Sequence, residues 1–105
     1  MTVSRLQQLI TMLETEPNDS FLNYGLALEY GKMGEIQKSI ELLESLITRD
    51  ENYLGAYYQL GKYYELTSEK AKAISTYTKG IAIAKTQNNR KTLSELNEAL
   101  FMLED

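Results

Sequence analysis

A chain that falls on itself when displaced by a constant interval has few folds open to it. Each interval must be one small unit, stacked against its neighbours to bury a face it cannot bury alone. Here the interval is 34 residues. Tyr24 coincides with Tyr58, Leu26 with Leu60, Tyr30 with Tyr64 and Glu35 with Glu69. Lys38 coincides with Lys72, Ile40 with Ile74 and Ile47 with Ile81. Similar residues meet elsewhere: Ala27 falls on Gly61, Ser39 on Ala73 and Leu43 on Tyr77.

Each interval reads as two helices. In the first copy Leu22, Leu26 and Tyr30 recur at helical spacing, with Ala27 beside them. Gly34 ends that helix, because glycine adopts a left-handed cap without steric cost. A second helix starts near Glu35, where an acid suits the positive end of the dipole. It directs Ile36, Ile40, Leu43 and Ile47 inward. In the second copy Tyr57, Leu60, Gly61 and Tyr64 build the first helix. Thr67 or Ser68 is expected to cap the second, whose apolar stripe is Ala73, Ile74, Tyr77 and Ile81. Six glycines and one proline are too few for the turns of an all-β domain.

A helix–turn–helix unit of this length resembles the tetratricopeptide repeat. Counted from Ser20 and Leu54, the signature positions carry Leu26–Ala27 and Leu60–Gly61, then Tyr30 and Tyr64. Gly34 and Ser68 stand at the turn, Ser39 and Ala73 at the small position of the second helix, and Leu43 and Tyr77 at the later bulky one. Asn23 and Leu46 depart from the pattern where Tyr57 and Gly80 match it, and the closing proline is absent at Glu51 and Lys85. Pro17 sits where a preceding repeat would close, after an amphipathic stretch with Leu6, Leu9, Ile10 and Leu13. Leu93, Leu96, Leu100 and Leu103 make a last amphipathic helix resembling a capping helix. The expected organisation is one repeat domain over 1–105: a half-repeat helix at 2–16, repeats at 19–52 and 53–87, and a capping helix at 89–104. The expected fold is all-α, a right-handed superhelix of antiparallel helix pairs with about six helices.

The resemblance implies a function. In arrays of this kind the first helices line a concave groove that holds a peptide or a partner helix. Carried over position by position, the groove residues are Phe21, Tyr24, Leu28 and Lys32, then Tyr58, Lys62 and Glu65. Asn97 and Phe101 are added from the last helix. Tyrosines suit such a floor because they offer a large flat area, a polar tip and few rotors to freeze. Tyr57 and Tyr64 are core positions, whereas Tyr53, Tyr58 and Tyr63 are surplus and supply packing or a sticky face. The clamp with which some relatives hold chaperone tails needs Lys and Asn where this chain has Tyr24 and Leu28, so that ligand is not expected. The alternative is a self-associating scaffold, for example a homodimer, with no peptide ligand of its own.

Other functions find little support. The chain has no histidine and no cysteine, which removes the commonest general base, thiolate ligands and disulfides. No glycine-rich phosphate loop, nucleophile elbow or metal-binding helix motif occurs. Glu41 and Glu44, and Glu95 and Glu98, share helix faces but read as solvated pairs. An enzyme, a cofactor and a metal are therefore not expected. A net charge of −4 argues against nucleic acid. Through Gly61 there are nine acidic and four basic residues, and from Lys62 six and seven, so the second half offers either a solvated surface or a patch for an acidic partner. With no membrane-length apolar run and no signal-like start, a cytoplasmic location is expected.

Overall fold

The computed structural model describes residues 3–104, and these form six helices and no strand. Two compact units divide at Asp50, each built of three helices. The fold is an all-α helical repeat.

The first unit contains α1 (Arg5–Thr15), α2 (Ser20–Lys32) and α3 (Ile36–Arg49). Ser4 caps α1 by accepting a hydrogen bond from the Gln7 amide at 3.1 Å, and Asp19 caps α2 through the Leu22 amide at 2.8 Å. Asn23, a departure from the repeat pattern, is buried because the turn before α2 needs it. Its Nδ2 donates to the carbonyls of Pro17 (3.0 Å) and Asp19 (2.8 Å), the latter also accepting from the Asn23 amide at 3.1 Å. Gly34 has φ +83°, and the Glu35 amide reaches back to the Tyr30 carbonyl at 2.9 Å, closing α2 as its glycine predicts. Across the α2–α3 contact the Ser39 hydroxyl donates to the Ala27 carbonyl at 2.6 Å, which only a small residue at each position allows. Leu9, Leu26, Ala27, Ile40, Leu43 and Leu46 form the core, while Ile36 and Ile47 are half-buried. Leu46, at a position where the repeat pattern asks for a small residue, is fully enclosed.

The second unit contains α4 (Leu54–Leu66), α5 (Lys70–Gln87) and α6 (Arg90–Leu103). The expected cap of α5 is overturned. Its N-cap is Glu69, which makes no side-chain capping bond. Ser68 instead takes the left-handed conformation of Gly34, with φ +61°, and the Glu69 amide reaches the Tyr64 carbonyl at 2.8 Å. Thr67 is the C-cap of α4, and its hydroxyl donates to Glu69 Oε2 at 2.6 Å. The helix therefore ends in the same way in both copies, although a serine supplies the strained residue in the second.

Glycines set the packing of this unit. A β-carbon at Gly80 would lie 2.9 Å from Tyr57 Cβ and 3.1 Å from Leu96 Cδ1, so its absence lets α4 and α6 both close on α5. Tyr57, Leu60, Tyr64, Ala73, Tyr77, Ala84, Leu96 and Ala99 are buried around it. A fully enclosed leucine such as Leu96 contributes about 2 kcal/mol through removal from water. Tyr63, read from sequence as surplus, is also buried. The N-caps of α2, α4 and α6 are Asp19, Tyr53 and Asn89. The last interval is thus two residues longer than the 34 before it. That offset decides which α6 residues correspond to which residues of α4.

Candidate functional site

Tyr58, Lys62 and Glu65 stand at i, i+4 and i+7 on α4 and form one continuous array. Lys62 Nζ lies 5.4 Å from the centre of the Tyr58 ring and 3.9 Å from Glu65 Oε2. The Tyr58 ring in turn tilts against Tyr77 of α5, with centroids 6.4 Å apart and planes at 44°. Tyr77, wholly enclosed, donates its hydroxyl to Glu65 Oε2. Burial and the neighbouring carboxylate push the Tyr77 phenol well above its ordinary pKa, so it stays a donor. The array exists because residue 61 is glycine: the Tyr77 ring fills the space a β-carbon there would take. Tyr58, Lys62 and Glu65 are each half-buried, not fully exposed as a free surface face would be.

In the first unit Tyr24 and Leu28 are half-buried on α2. Lys32 is exposed but pairs with Glu29 at 3.3 Å, and Glu29 also faces Arg5 of α1 at 3.7 Å. Phe21, read from sequence as a groove residue, is 66% exposed.

On α6 the structure revises the assignment. Counted from the N-caps Tyr53 and Asn89, Glu98 falls on the position of Lys62, Ser94 on that of Tyr58 and Phe101 on that of Glu65. Asn97 falls on the position of Gly61 but is exposed, one turn before Phe101. Phe101 is 73% exposed. The correspondence of Glu98 with Lys62 does not emerge from a 34-residue count, because the interval before α6 is two residues longer.

A shallow recess was not anticipated. It lies between α2 and α3 and is lined by Leu26, Tyr30, Lys38, Glu41 and Leu42, with Lys38 Nζ 5.2 Å from the Tyr30 ring centre. The second unit repeats the pair, Lys72 standing 5.7 Å from the Tyr64 ring. The signal was the coincidence of both residues at the repeat interval. Among the described residues no group of acidic side chains is arranged to hold a metal, and no helix is long and apolar enough to cross a membrane.

The tetratricopeptide repeat family model matches residues 22–53 and 54–87. The chain belongs to the tetratricopeptide repeat family. A TPR repeat-containing protein of Methanocaldococcus jannaschii is 37% identical over 78 residues, covering 74% of this chain and 24% of that protein. The chain thus spans about a quarter of the length of that curated relative. A tetratricopeptide repeat domain protein from Salinibacter ruber, solved by NMR, is 40% identical with a TM-score of 0.80, covering 84% of this chain and 89% of that one. The TPR2B domain of yeast Sti1, solved in its pHsp70 complex, has a TM-score of 0.86 at 18% identity, covering 93% and 78%, a likeness of fold. Tetratricopeptide repeats are in general protein-interaction modules and non-enzymatic scaffolds.

Proposed function

We propose that this tetratricopeptide repeat protein binds a peptide or a helix of a partner protein on the exposed faces of its first-type helices, without catalysing a reaction. The observation that carries the reading is the Tyr58–Lys62–Glu65 array. It holds an aromatic face, a cation and a carboxylate within about two turns of helix, already ordered by Tyr77. Ordering a site before the ligand arrives lowers the entropy cost of binding. Tyr24, Leu28 and Lys32 offer a second, smaller face, and Phe101 an aromatic anchor on α6. The solved complex of yeast Sti1 supports a polypeptide occupant for a fold of this kind. Tyr24 and Leu28, where chaperone-tail clamps carry Lys and Asn, argue for a different class of ligand.

A pull-down from source-cell lysate tests the proposal, comparing wild type with a folded Tyr58→Ala/Lys62→Glu variant by mass spectrometry. A protein held by the wild type and lost by the variant supports it. Equal retention by both would place binding elsewhere. Self-association is the second reading, favoured by adjacent Phe101 and Met102, 73% and 75% exposed on α6. A mass that rises with concentration, with nothing captured but the protein itself, would select it.

A further inference from the structure

The outward face of α6 changes character from one end to the other. Arg90, Ser94, Asn97 and Phe101 stand at i, i+4, i+7 and i+11, and Lys91, Glu98 and Met102 form the row beside them. All of these are exposed, whereas Leu96 and Ala99 on the other side of the helix are buried. The stripe therefore opens basic, is polar in its middle, and ends on a carboxylate with two large apolar side chains. Among the described residues no ion pair involves Arg90, Lys91 or Glu98.

This order of charges opposes the helix that carries it. The amino end of a helix bears about half a positive charge and the carboxyl end about half a negative one. Yet α6 opens on Arg90 and Lys91 and closes on Glu104, with no acid in its first turn and no base in its last. Arg5 and Lys72, at the starts of α1 and α5, are each met by a glutamate, Glu29 and Glu69. A second α6 laid antiparallel reverses both relations. Its carboxyl end then lies beside Arg90 and Lys91, and its amino end beside Glu104. With the two helices registered at Leu96, Lys91 stands opposite Phe101 of the second copy, within one turn of that copy's Glu98 and Glu104. A lysine between an aromatic face and a carboxylate is the arrangement that Lys62 already has with Tyr58 and Glu65.

We infer that the exposed face of α6 docks a second copy of this chain, with the two helices antiparallel across a two-fold axis. A stripe that is basic at one end and acidic and aromatic at the other complements itself when reversed, whereas a parallel copy would set like charges together. Such a contact uses the same patch on both chains, so it closes at the dimer. The inference rests on the self-association reading, to which it gives a face and an orientation, and it uses no residue of the Tyr58–Lys62–Glu65 array.

Sedimentation equilibrium of the full chain tests this at physiological ionic strength, where the net charge of −4 is screened beyond about 8 Å. One helix face about 21 Å long is small beside a standard interface, so the series runs up to about millimolar protein. The apparent mass should rise towards that of a dimer and no further. Lys91→Glu and Glu98→Lys should each weaken dimerisation about tenfold, since two-fold symmetry counts every substitution twice. An equimolar mixture of the two variants should regain it, because each new charge then meets its opposite on the other chain. Both positions are exposed, and recovery in the mixture is itself proof that the variants fold. Dimerisation equal in the wild type and both variants, or a mixture no heavier than its components, would overturn this face and leave self-association standing. A wild type that stays monomeric throughout would overturn both, while the lysate comparison of the Tyr58→Ala/Lys62→Glu variant still decides polypeptide binding.

Discussion

The ring of Tyr77 lies where a β-carbon on Gly61 would be, with Cε1 2.2 Å from that position. The first unit solves the same contact with the sizes exchanged: Ala27 stands at the glycine position and Leu43 at the tyrosine position, both buried. Close packing makes these alternatives non-interchangeable one residue at a time.

Gly61→Ala should therefore cost about 1–3 kcal/mol by overpacking, despite alanine's better helix propensity. Tyr77→Leu should also destabilise, by leaving a void. Combined, Gly61→Ala/Tyr77→Leu reproduces the first unit's solution, so the double variant should be more stable than the sum of the single losses. Denaturant unfolding of the four proteins reads the coupling. Additive losses would show that the two residues do not share one packing problem.

Tyr77→Phe removes only the hydroxyl that donates to Glu65. The expected loss at neutral pH is about 1 kcal/mol, modest because Glu65 can turn to water. Alkaline pH discriminates further. The Tyr77 phenol is raised in the folded state by burial and by Glu65. Its contribution is fully present below the unfolded tyrosine value of about 10 and declines as the pH rises above it. Wild type should lose stability more steeply than Tyr77→Phe above that pH. Parallel curves in the two proteins would show that this phenol ionises normally.

Gly34 and Ser68 occupy the same left-handed cap, at φ +83° and +61°. Ser68→Gly should stabilise by roughly 0.5–1 kcal/mol through relief of a conformation that costs L residues energy. Gly34→Ala should destabilise by about 1 kcal/mol, since its β-carbon meets no neighbour and only backbone strain is added. Thermal melts of both variants check the opposite signs.

The Glu69 carboxyl is held below the usual carboxylate range, first by the Thr67 hydroxyl and then by Lys72 at 3.0 Å. A carboxylate with a depressed folded pKa favours folding above its unfolded pKa. That contribution is lost as the pH falls through the folded value. Side-chain carbon shifts of Glu69 in a pH titration should show the depression, and Thr67→Val should remove most of it. No movement on that substitution would assign the effect to Lys72 instead.

The repeat of 34 residues and its apolar positions were enough to read helix pairs, the family and most of the core, because helical periodicity is written in the order of residues. The pairs Leu26–Ala27 and Leu60–Gly61 marked the close contacts, and Gly34 marked the end of α2. Tertiary structure alone decided three matters. Ser68 took the left-handed cap because the turn between α4 and α5 had to match the one after α2, whichever residue stood there. The register of α6 differs from that of α4 because the interval before it is two residues longer, and a shift of two turns a helix by more than half a revolution. Glu65 became a fixed acceptor because the Tyr77 hydroxyl, buried by the approach of α5 to Gly61, needed a partner. Such a bond spans two helices, and its existence depends on their separation, which no local pattern encodes.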